Sequence, residues 1–167
     1  MEISILFLPL IASIISGFFG KYIGDRNSEL VTSILVSISA FLSIFVLYQV
    51  IFNQYEENIV IATWINSGSL DVNWSMLIDP LSAVMLVVVT SVSSLVHIYS
   101  IGYMSHDPHK PRFMAYLSLF TFAMLMLVTS DNFLQLFFGW EGVGLCSYLL
   151  IGFWYKKETA NNAAIKA

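Results

Sequence analysis

Five long apolar stretches decide what this chain can fold into. A helix that spans a membrane needs about 20 mostly apolar residues to cross a hydrocarbon core about 30 Å thick. The stretches that meet this requirement run over about 3–20, 30–52, 80–103, 113–129 and 132–155. Charged residues are only 11% of the 167 residues, against about 25% in soluble domains. Because unpaired backbone groups in lipid are costly, the sequence predicts an all-α integral membrane protein with five transmembrane helices.

The longest connector, between the second and third stretches, has the pattern of a β-hairpin. Residue character alternates over 59–65 and again over 70–78, and the Asn-Ser-Gly-Ser run at 66–69 supplies turn residues. Alternation with a period of two is typical of strands, and tryptophans favour the membrane interface. We predict a hairpin over about 59–78 on the membrane surface. An irregular amphipathic loop is the alternative.

The basic residues predict the orientation. Lysine and arginine concentrate in cytoplasmic segments. With five spans and an outer N-terminus, the inner segments are 21–29, 104–112 and 156–167, and they contain every basic residue of the chain. These residues are Lys21, Arg26, Lys110, Arg112, Lys156, Lys157 and Lys166. The sequence therefore predicts the N-terminus outside and the C-terminus inside.

Several redox functions are excluded for this chain by its composition. Its one cysteine, Cys146, cannot hold an iron–sulfur cluster, and only one histidine, His97, lies in an apolar stretch. The glycines at 17, 20 and 24 have the wrong spacing for a dinucleotide-binding loop. We expect no cofactor on this chain and no redox centre.

Glu141 is the acidic residue whose charge would cost the most free energy in a bilayer. It lies about nine residues into the fifth stretch, close to the membrane midplane, whereas we place the other acids in connectors or at helix ends. A charge at that depth costs at least about 2.5–3.5 kcal/mol, so such a residue is a functional candidate. We predict a proton-relay role. The alternatives are a protonated carboxyl that bonds a neighbouring helix, or a helix break within 139–144 that the acid caps.

Two further residues could extend a relay. His97 is the other strongly ionisable group within a predicted span, about 12 Å nearer the inner side than Glu141; an anchor at the membrane interface is the alternative. Tyr148 lies seven residues after Glu141 and therefore on the same helix face; an interfacial packing role is the alternative. No lysine or arginine lies within the five predicted spans, so Glu141 lacks a cationic partner there.

Seven short motifs resemble those of one protein family. They are Asp79-Pro80-Leu81-Ser82, Tyr99-Ser100-Ile101-Gly102-Tyr103-Met104, Leu117-Ser118-Leu119-Phe120-Thr121-Phe122, Thr129-Ser130-Asp131-Asn132, Gly139-Trp140-Glu141-Gly142-Val143-Gly144, Gly152-Phe153-Trp154 and Ala160-Asn161-Asn162-Ala163-Ala164. Together they resemble the large antiporter-like subunit of proton-pumping NADH:quinone oxidoreductase, respiratory complex I, which is chain L in bacteria and subunit 5 in mitochondria. The similarity covers nearly the whole chain and is weakest over the first 50 residues.

The resemblance implies a part in a larger proton pump. Complete family members are far longer, so 1–112 would be the N-terminal membrane region and 113–167 the start of the proton-translocating core. The glutamate that matches Glu141 pairs with a lysine on a later helix. NADH, flavin, iron–sulfur clusters and quinone would bind to partner subunits. The expected partners are other membrane subunits of complex I, the lipid bilayer and protons, with no nucleic acid.

The resemblance implies a multi-pass protein of a bacterial inner membrane or a mitochondrial inner membrane. Subunits of multisubunit sodium/proton antiporters and of membrane-bound hydrogenases are the alternatives within the same architecture. An assembly or anchor protein is a third alternative, but it leaves Glu141 unexplained.

Overall fold

The computed structural model describes residues 1–68 and 70–167, and its five long helices confirm the predicted fold class. The elements, in chain order, are α1 (Glu2–Ile23), α2 (Asp25–Asn53), β1 (Glu57–Ser67), β2 (Leu70–Ile78), α3 (Pro80–Tyr103), α4 (Lys110–Val128), α5 (Phe133–Ile151) and α6 (Glu158–Lys166). All five long helices, α1 to α5, are long and apolar enough to cross a membrane. Large apolar side chains such as Phe18, Phe41 and Leu95 are exposed around the bundle, as lipid contact requires.

The start of α3 follows directly from its sequence. The Ser82 amide donates to Asp79 Oδ1 at 2.6 Å, and the Asp79 amide donates to Ser82 Oγ at 2.8 Å. Each side chain thus satisfies a backbone group that the first turn leaves unpaired. Pro80 occupies the first position, where a missing N–H costs nothing. The predicted bounds of this helix, 80–103, match the observed ones.

The connector predicted at 21–29 is wrong, because a single residue separates α1 from α2. Gly24 has φ 87° and ψ 160°, a conformation open to glycine because it has no Cβ. The sharp turn lets both helices continue through polar residues. Lys21 therefore lies in the last turn of α1, and Glu29 lies within α2 rather than in a loop.

The bounds of α4 and α5 also shift from the predicted ones. Pro111 lies in the first turn of α4 rather than in the preceding loop, a place where proline is well tolerated. The helix predicted over 132–155 ends at Ile151. The chain then turns at 152–157 and enters the short helix α6, which buries Ala164.

The hairpin prediction is confirmed. β1 and β2 pair antiparallel, with register irregularities between Val60 and Ala62 and between Thr63 and Ile65. Gly68 has φ 63° at the turn; Ser69, the last residue of the predicted turn, lies outside the described residues. The hairpin contributes to the core, because Met76 and Ile78 of β2 are fully buried.

Helix α4 occupies the centre of the bundle. It packs against α1, α2, α3 and α5, whereas α5 packs mainly against α4. An apolar core lies where the helices meet the hairpin, and its buried members are Ile5, Leu6, Val46, Val50, Met76, Ile78, Ala83, Leu86, Leu125 and Met126. Elsewhere the helix contacts are made largely by small side chains, which allow close approach between helices in a membrane.

The two ends of the bundle differ in charge. At one end lie the hairpin and the α4–α5 turn, which are joined by a bond from the Leu77 amide to the Thr129 carbonyl. At the other end, the basic end, lie the α1–α2 turn, the segment before α4 and the 152–157 turn. Six of the seven basic residues lie in these basic-end segments or within three residues of them, and Lys166 lies in the last turn of α6, which follows the 152–157 turn. The orientation, with the N-terminus outside and the C-terminus inside, stays a prediction.

Candidate proton-relay site

His97 is fully buried between α3 and α4. Its Nδ1 lies 2.8 Å from the Ser93 carbonyl oxygen one turn earlier, and its Nε2 lies 3.0 Å from Ser118 Oγ of α4. A carbonyl oxygen can only accept, so these partners assign the hydrogen of the neutral ring to Nδ1. Nε2 then accepts from the Ser118 hydroxyl. The ring has no access to the interface, which an anchoring role would require.

Two more hydroxyls extend this contact. Ser93 Oγ lies 2.5 Å from Thr121 Oγ1 and 3.3 Å from His97 Nδ1. We call Ser93, His97, Ser118 and Thr121 the His97 cluster. An imidazole can take a proton at one nitrogen and release one from the other, and hydroxyls can donate and accept in turn. The cluster is therefore a hydrogen-bonded set of one imidazole and three hydroxyls that links α3 to α4.

Other hydroxyl pairs fasten α2 to α3. Ser43 Oγ lies 2.7 Å from Thr90 Oγ1, and Ser37 Oγ lies 2.7 Å from Ser94 Oγ. Thr90 also donates to the Leu86 carbonyl of its own helix at 2.7 Å. Side-chain bonds between membrane helices are worth on average about 0.6 kcal/mol each. We interpret these pairs as packing contacts.

Glu141 lies midway along α5, on a face that the described residues leave uncovered. Its carboxyl is eight residues beyond Phe133, about 12 Å along a 19-residue helix. The buried residues of α5 are Gln135, Gly139 and Cys146, and at about 100° per residue Glu141 points roughly away from them. Glu141 is exposed, and so are its neighbours on that face, Phe137 and Leu145. Glu141 thus lies near the middle of α5, and its carboxyl is not enclosed by the described residues.

Glycines on the other face of α5 let it approach α4. A Cβ at Gly139 would lie 2.8 Å from the Leu127 backbone, and one at Gly142 would lie 3.1 Å from Ala123 Cβ. Gly144, on the exposed side, has open space around it. The helix runs unbroken through these positions. The alternative of a helix break within 139–144 is therefore wrong.

Tyr148 lies on the exposed face of α5, about 10 Å beyond Glu141 toward the basic end. It lines a cavity of about 220 Å³ together with Arg112 and Tyr116. The hydrogen bonds of His97 all go to α3 and α4. The described residues thus place Glu141 and Tyr148 on one face and His97 in a separate interior position.

A buried Glu–Lys pair does exist, but it does not involve Glu141. Glu29 Oε1 lies 3.9 Å from Lys110 Nζ, and Glu29 is only 5% exposed. The sequence analysis placed Glu29 in a solvated connector. The missed signal is the run Ser28, Thr32, Ser39 and Ser43 at helical spacing: these small side chains are all buried, and they bring the face beside Glu29 against the bundle.

The basic end is held by aromatic and charged contacts around Arg112. Its Nη2 donates to the Phe153 carbonyl at 3.1 Å, and its guanidinium lies 4.5 Å from the centre of the Phe153 ring. The Trp154 indole donates to Asp107 Oδ2 at 2.9 Å, and the His109 amide donates to Oδ1 at 2.8 Å. Partial burial raises the pKa of Asp107, but these bonds outweigh it, so the pKa lies below its usual value.

Within residues 1–68 and 70–167, no three His, Cys, Asp or Glu side chains come together as a metal site. What the described bundle offers is a buried imidazole cluster and an uncovered mid-membrane carboxylate. An imidazole and a carboxylate can each take up and release a proton.

Comparison with known proteins defines the class first. Residues 64–114 match the family model for the N-terminus of NADH-ubiquinone oxidoreductase (complex I) chain 5, and residues 130–167 match that for the NADH:quinone oxidoreductase/Mrp antiporter transmembrane region. A solved membrane-bound sulfane sulfur reductase, an archaeal respiratory membrane complex, has a similar fold. Its TM-score is 0.80 at 18% identity, covering 99% of this chain and 33% of that one. The fold is therefore that of an antiporter-like membrane subunit.

Named relatives then identify the family within this class. The chain is 56% identical over its full length to NADH-ubiquinone oxidoreductase chain 5 of Arabidopsis thaliana, covering 25% of that protein. It is 54% identical over 99% of its length to chain 5 of Phytophthora infestans, covering 25%. It is 52% identical over its full length to NADH-quinone oxidoreductase subunit L of Rickettsia bellii (strain RML369-C), covering 26%. The chain belongs to this chain 5/subunit L family, and it spans about a quarter of the length of these relatives.

Proposed function

We propose that this chain is part of a proton-translocating membrane subunit of NADH:quinone oxidoreductase, in which Glu141 takes up and releases protons. The observation that carries the proposal is the position of Glu141 at mid-depth on an otherwise apolar, uncovered face of α5. The names and high identity of the relatives support it.

The uncovered face supports a charged pair. An ionised carboxylate that faced lipid at the midplane would cost at least about 2.5–3.5 kcal/mol. A cation on a covering helix would offset that cost, and the cost returns whenever the cation moves away. Such a carboxylate changes its proton affinity with the position of its partner. This dependence is what a pump needs in order to load and release a proton in separate steps.

The covering helix is proposed to come from the part of the relatives that this chain does not span. Within the described residues, Lys110 is already paired with Glu29, and the other cations lie at the basic end. The family resemblance implies a lysine on a later helix as the partner of Glu141. Residues 1–112 would then form the N-terminal membrane region, and 113–167 the start of the proton-translocating core.

The wider assignment follows the relatives. We propose that the other membrane subunits of complex I are the partners, and that NADH, flavin, iron–sulfur clusters and quinone bind elsewhere in the complex. The membrane would be a bacterial or a mitochondrial inner membrane. In this arrangement α5 transfers protons while partner subunits carry out the redox chemistry.

His97 and Tyr148 are proposed as secondary relay groups. The His97 cluster offers a hydrogen-bonded path between α3 and α4, and Tyr148 continues the Glu141 face toward the basic end. A route between the two would need water or side chains on the helices that cover α5. Both residues therefore rank below Glu141.

The test is Glu141→Gln in the protein within its native membrane complex. Glutamine keeps the shape but cannot ionise, so NADH-driven proton pumping should fall while the complex still assembles. Glu158→Gln, which removes an exposed acid in the first turn of α6, is the matched control and should pump normally. His97→Gln and Tyr148→Phe belong in the same series. Normal pumping by an assembled Glu141→Gln complex would end the relay proposal.

A sodium/proton antiporter subunit is the second candidate, because the description of the family that matches 130–167 also covers Mrp antiporters. Isolation of the native complex separates the two. Co-purification with NADH-oxidising, quinone-reducing activity supports the first function. Sodium-dependent proton exchange without such activity supports the second.

A further inference from the structure

A groove opens at the basic end between α1 and α4, and the proposed function does not use it. Its volume is about 500 Å³. The lining residues come from the last two turns of α1, the α1–α2 turn and the start of α4; they are Ser16, Gly17, Gly20, Lys21, Gly24, Asp25, Pro108, His109, Pro111, Arg112, Ala115 and Tyr116. The groove thus starts at a polar rim and continues about two turns into the apolar region.

The rim carries two cations that form no close ion pair among the described residues, although Asp107 lies near enough to Arg112 for their charges to interact. Lys21 and Arg112 line the groove, and the ion pairs among the described residues are Met1–Glu2 and Glu29–Lys110 only. Arg112 Nε is buried and has no hydrogen-bond partner among these residues. Asp25 also lies on the rim and offsets one of the two charges. The first turn of α4 adds backbone N–H groups, which favour an anion.

The inner part of the groove is an apolar slot with a glycine wall. A Cβ at Gly20 would lie 2.6 Å from Pro111, so α1 and α4 touch there, and Ser16 Oγ donates to the Pro111 carbonyl at 2.8 Å. A Cβ at Gly17 would lie 3.5 Å from Ala115, an ordinary contact. A methyl group at Gly17 would therefore meet Ala115 at ordinary contact distance, and both residues line the groove.

We propose that this groove binds an anionic phospholipid, with its phosphate at Lys21 and Arg112 and an acyl chain along Gly17 and Ala115. Basic pockets between membrane helices bind anionic head groups, and anionic lipids enrich the cytoplasmic leaflet, the side on which the basic end is predicted to lie. The apolar slot below the cations is what distinguishes a lipid from a free phosphate ion.

The experiment uses the native complex in nanodiscs with a phosphatidylglycerol or a phosphatidylcholine that carries a photoreactive acyl chain. Cross-links are mapped by mass spectrometry to peptides that contain 16–24 and 108–116. Phosphatidylglycerol should label them more strongly, and Lys21→Gln should reduce that preference about fivefold, the effect of one cation near an anionic lipid. Gly17→Leu should fill the slot and remove labelling by both lipids. Lys157→Gln, a cation outside the groove, is the matched control and should change nothing.

Three other outcomes would overturn the proposal. Equal labelling by the two lipids in the parent protein would show ordinary boundary lipid. Loss of the preference in excess inorganic phosphate would show a site for the free ion. No labelling of these peptides would show that protein fills the groove. Gly17→Ala, which fits at 3.5 Å, should label like the parent and shows that substitution there leaves the fold intact.

Discussion

The glycines of α5 lie at different distances from α4, so alanine substitutions at these positions should differ in their effect on stability. A Cβ at Gly139 would lie 2.8 Å from Leu127 N and Cα, whereas one at Gly142 would lie 3.1 Å from Ala123 Cβ and one at Gly144 would touch nothing. Backbone atoms cannot rotate away as a side chain can. Gly139→Ala therefore has to push α5 from α4, and Gly144→Ala need not.

The magnitude follows from two opposing terms. Alanine in place of glycine favours a helix by about 1 kcal/mol, and this gain applies at all three positions. Overpacking costs about 1–3 kcal/mol, and it applies in full only at 139. Gly144→Ala should therefore be stabilising by about 1 kcal/mol. Gly139→Ala should be less stable than Gly144→Ala by about 1–3 kcal/mol, with Gly142→Ala between them.

Thermal unfolding of the purified complex, with the melting midpoint read for each variant, measures this order. Because displacement of α5 also moves Glu141, proton pumping should fall at Gly139→Ala and persist at Gly144→Ala. Equal midpoints for the 139 and 144 variants would refute the close approach. Loss of stability at Gly144→Ala would show instead that the exposed face is already covered at that position.

Two further predictions concern the ends of the bundle. Gln135 is fully buried and bonds both backbone groups of Ser75, accepting from its amide at 2.9 Å and donating to its carbonyl at 2.6 Å. Gln135→Leu should leave these groups unpaired and destabilise the hairpin by about 1–3 kcal/mol, measured as faster amide hydrogen exchange at Ser75; unchanged exchange would contradict the bond pair. The pKa of Asp107 is lowered, so ionised Asp107 stabilises the fold above the unfolded value near 3.8, and this contribution disappears as the pH falls through the lowered pKa. The melting midpoint of Asp107→Asn should therefore lie below that of the parent at neutral pH and approach it below pH 3.8; a gap that widens in acid would contradict the sign.

The sequence predicted the elements whose causes are local. Apolar length predicted the five helices, including the start of α3 at residue 80, and the cap and proline at Asp79-Pro80 that stabilise this start act within one turn. The residue pattern also predicted the hairpin. The depth of Glu141 along its helix needed only counting.

The sequence could not predict which face of each helix packs against the rest of the bundle. Glu141 points away from the described helices because glycines on the opposite face, Gly139 and Gly142, let α4 approach there. Glu29 is buried because Gly24 makes the α1–α2 turn with one residue. The role of Gln135 depends on a strand 60 residues away. Each outcome depends on contacts between distant segments, which helix length and composition do not specify.

The central place of α4 has a consequence for biosynthesis. Helices α1, α2 and α3 precede it in the chain, yet each needs α4 to complete its packing. Ser16, His97 and Ser93 all find partners on α4. While the chain is being made, those polar groups face lipid or the insertion machinery until the fourth helix enters. A chain arrested before α4 has entered the membrane should therefore depend on membrane chaperones, whereas one arrested after its entry should form a packed four-helix intermediate.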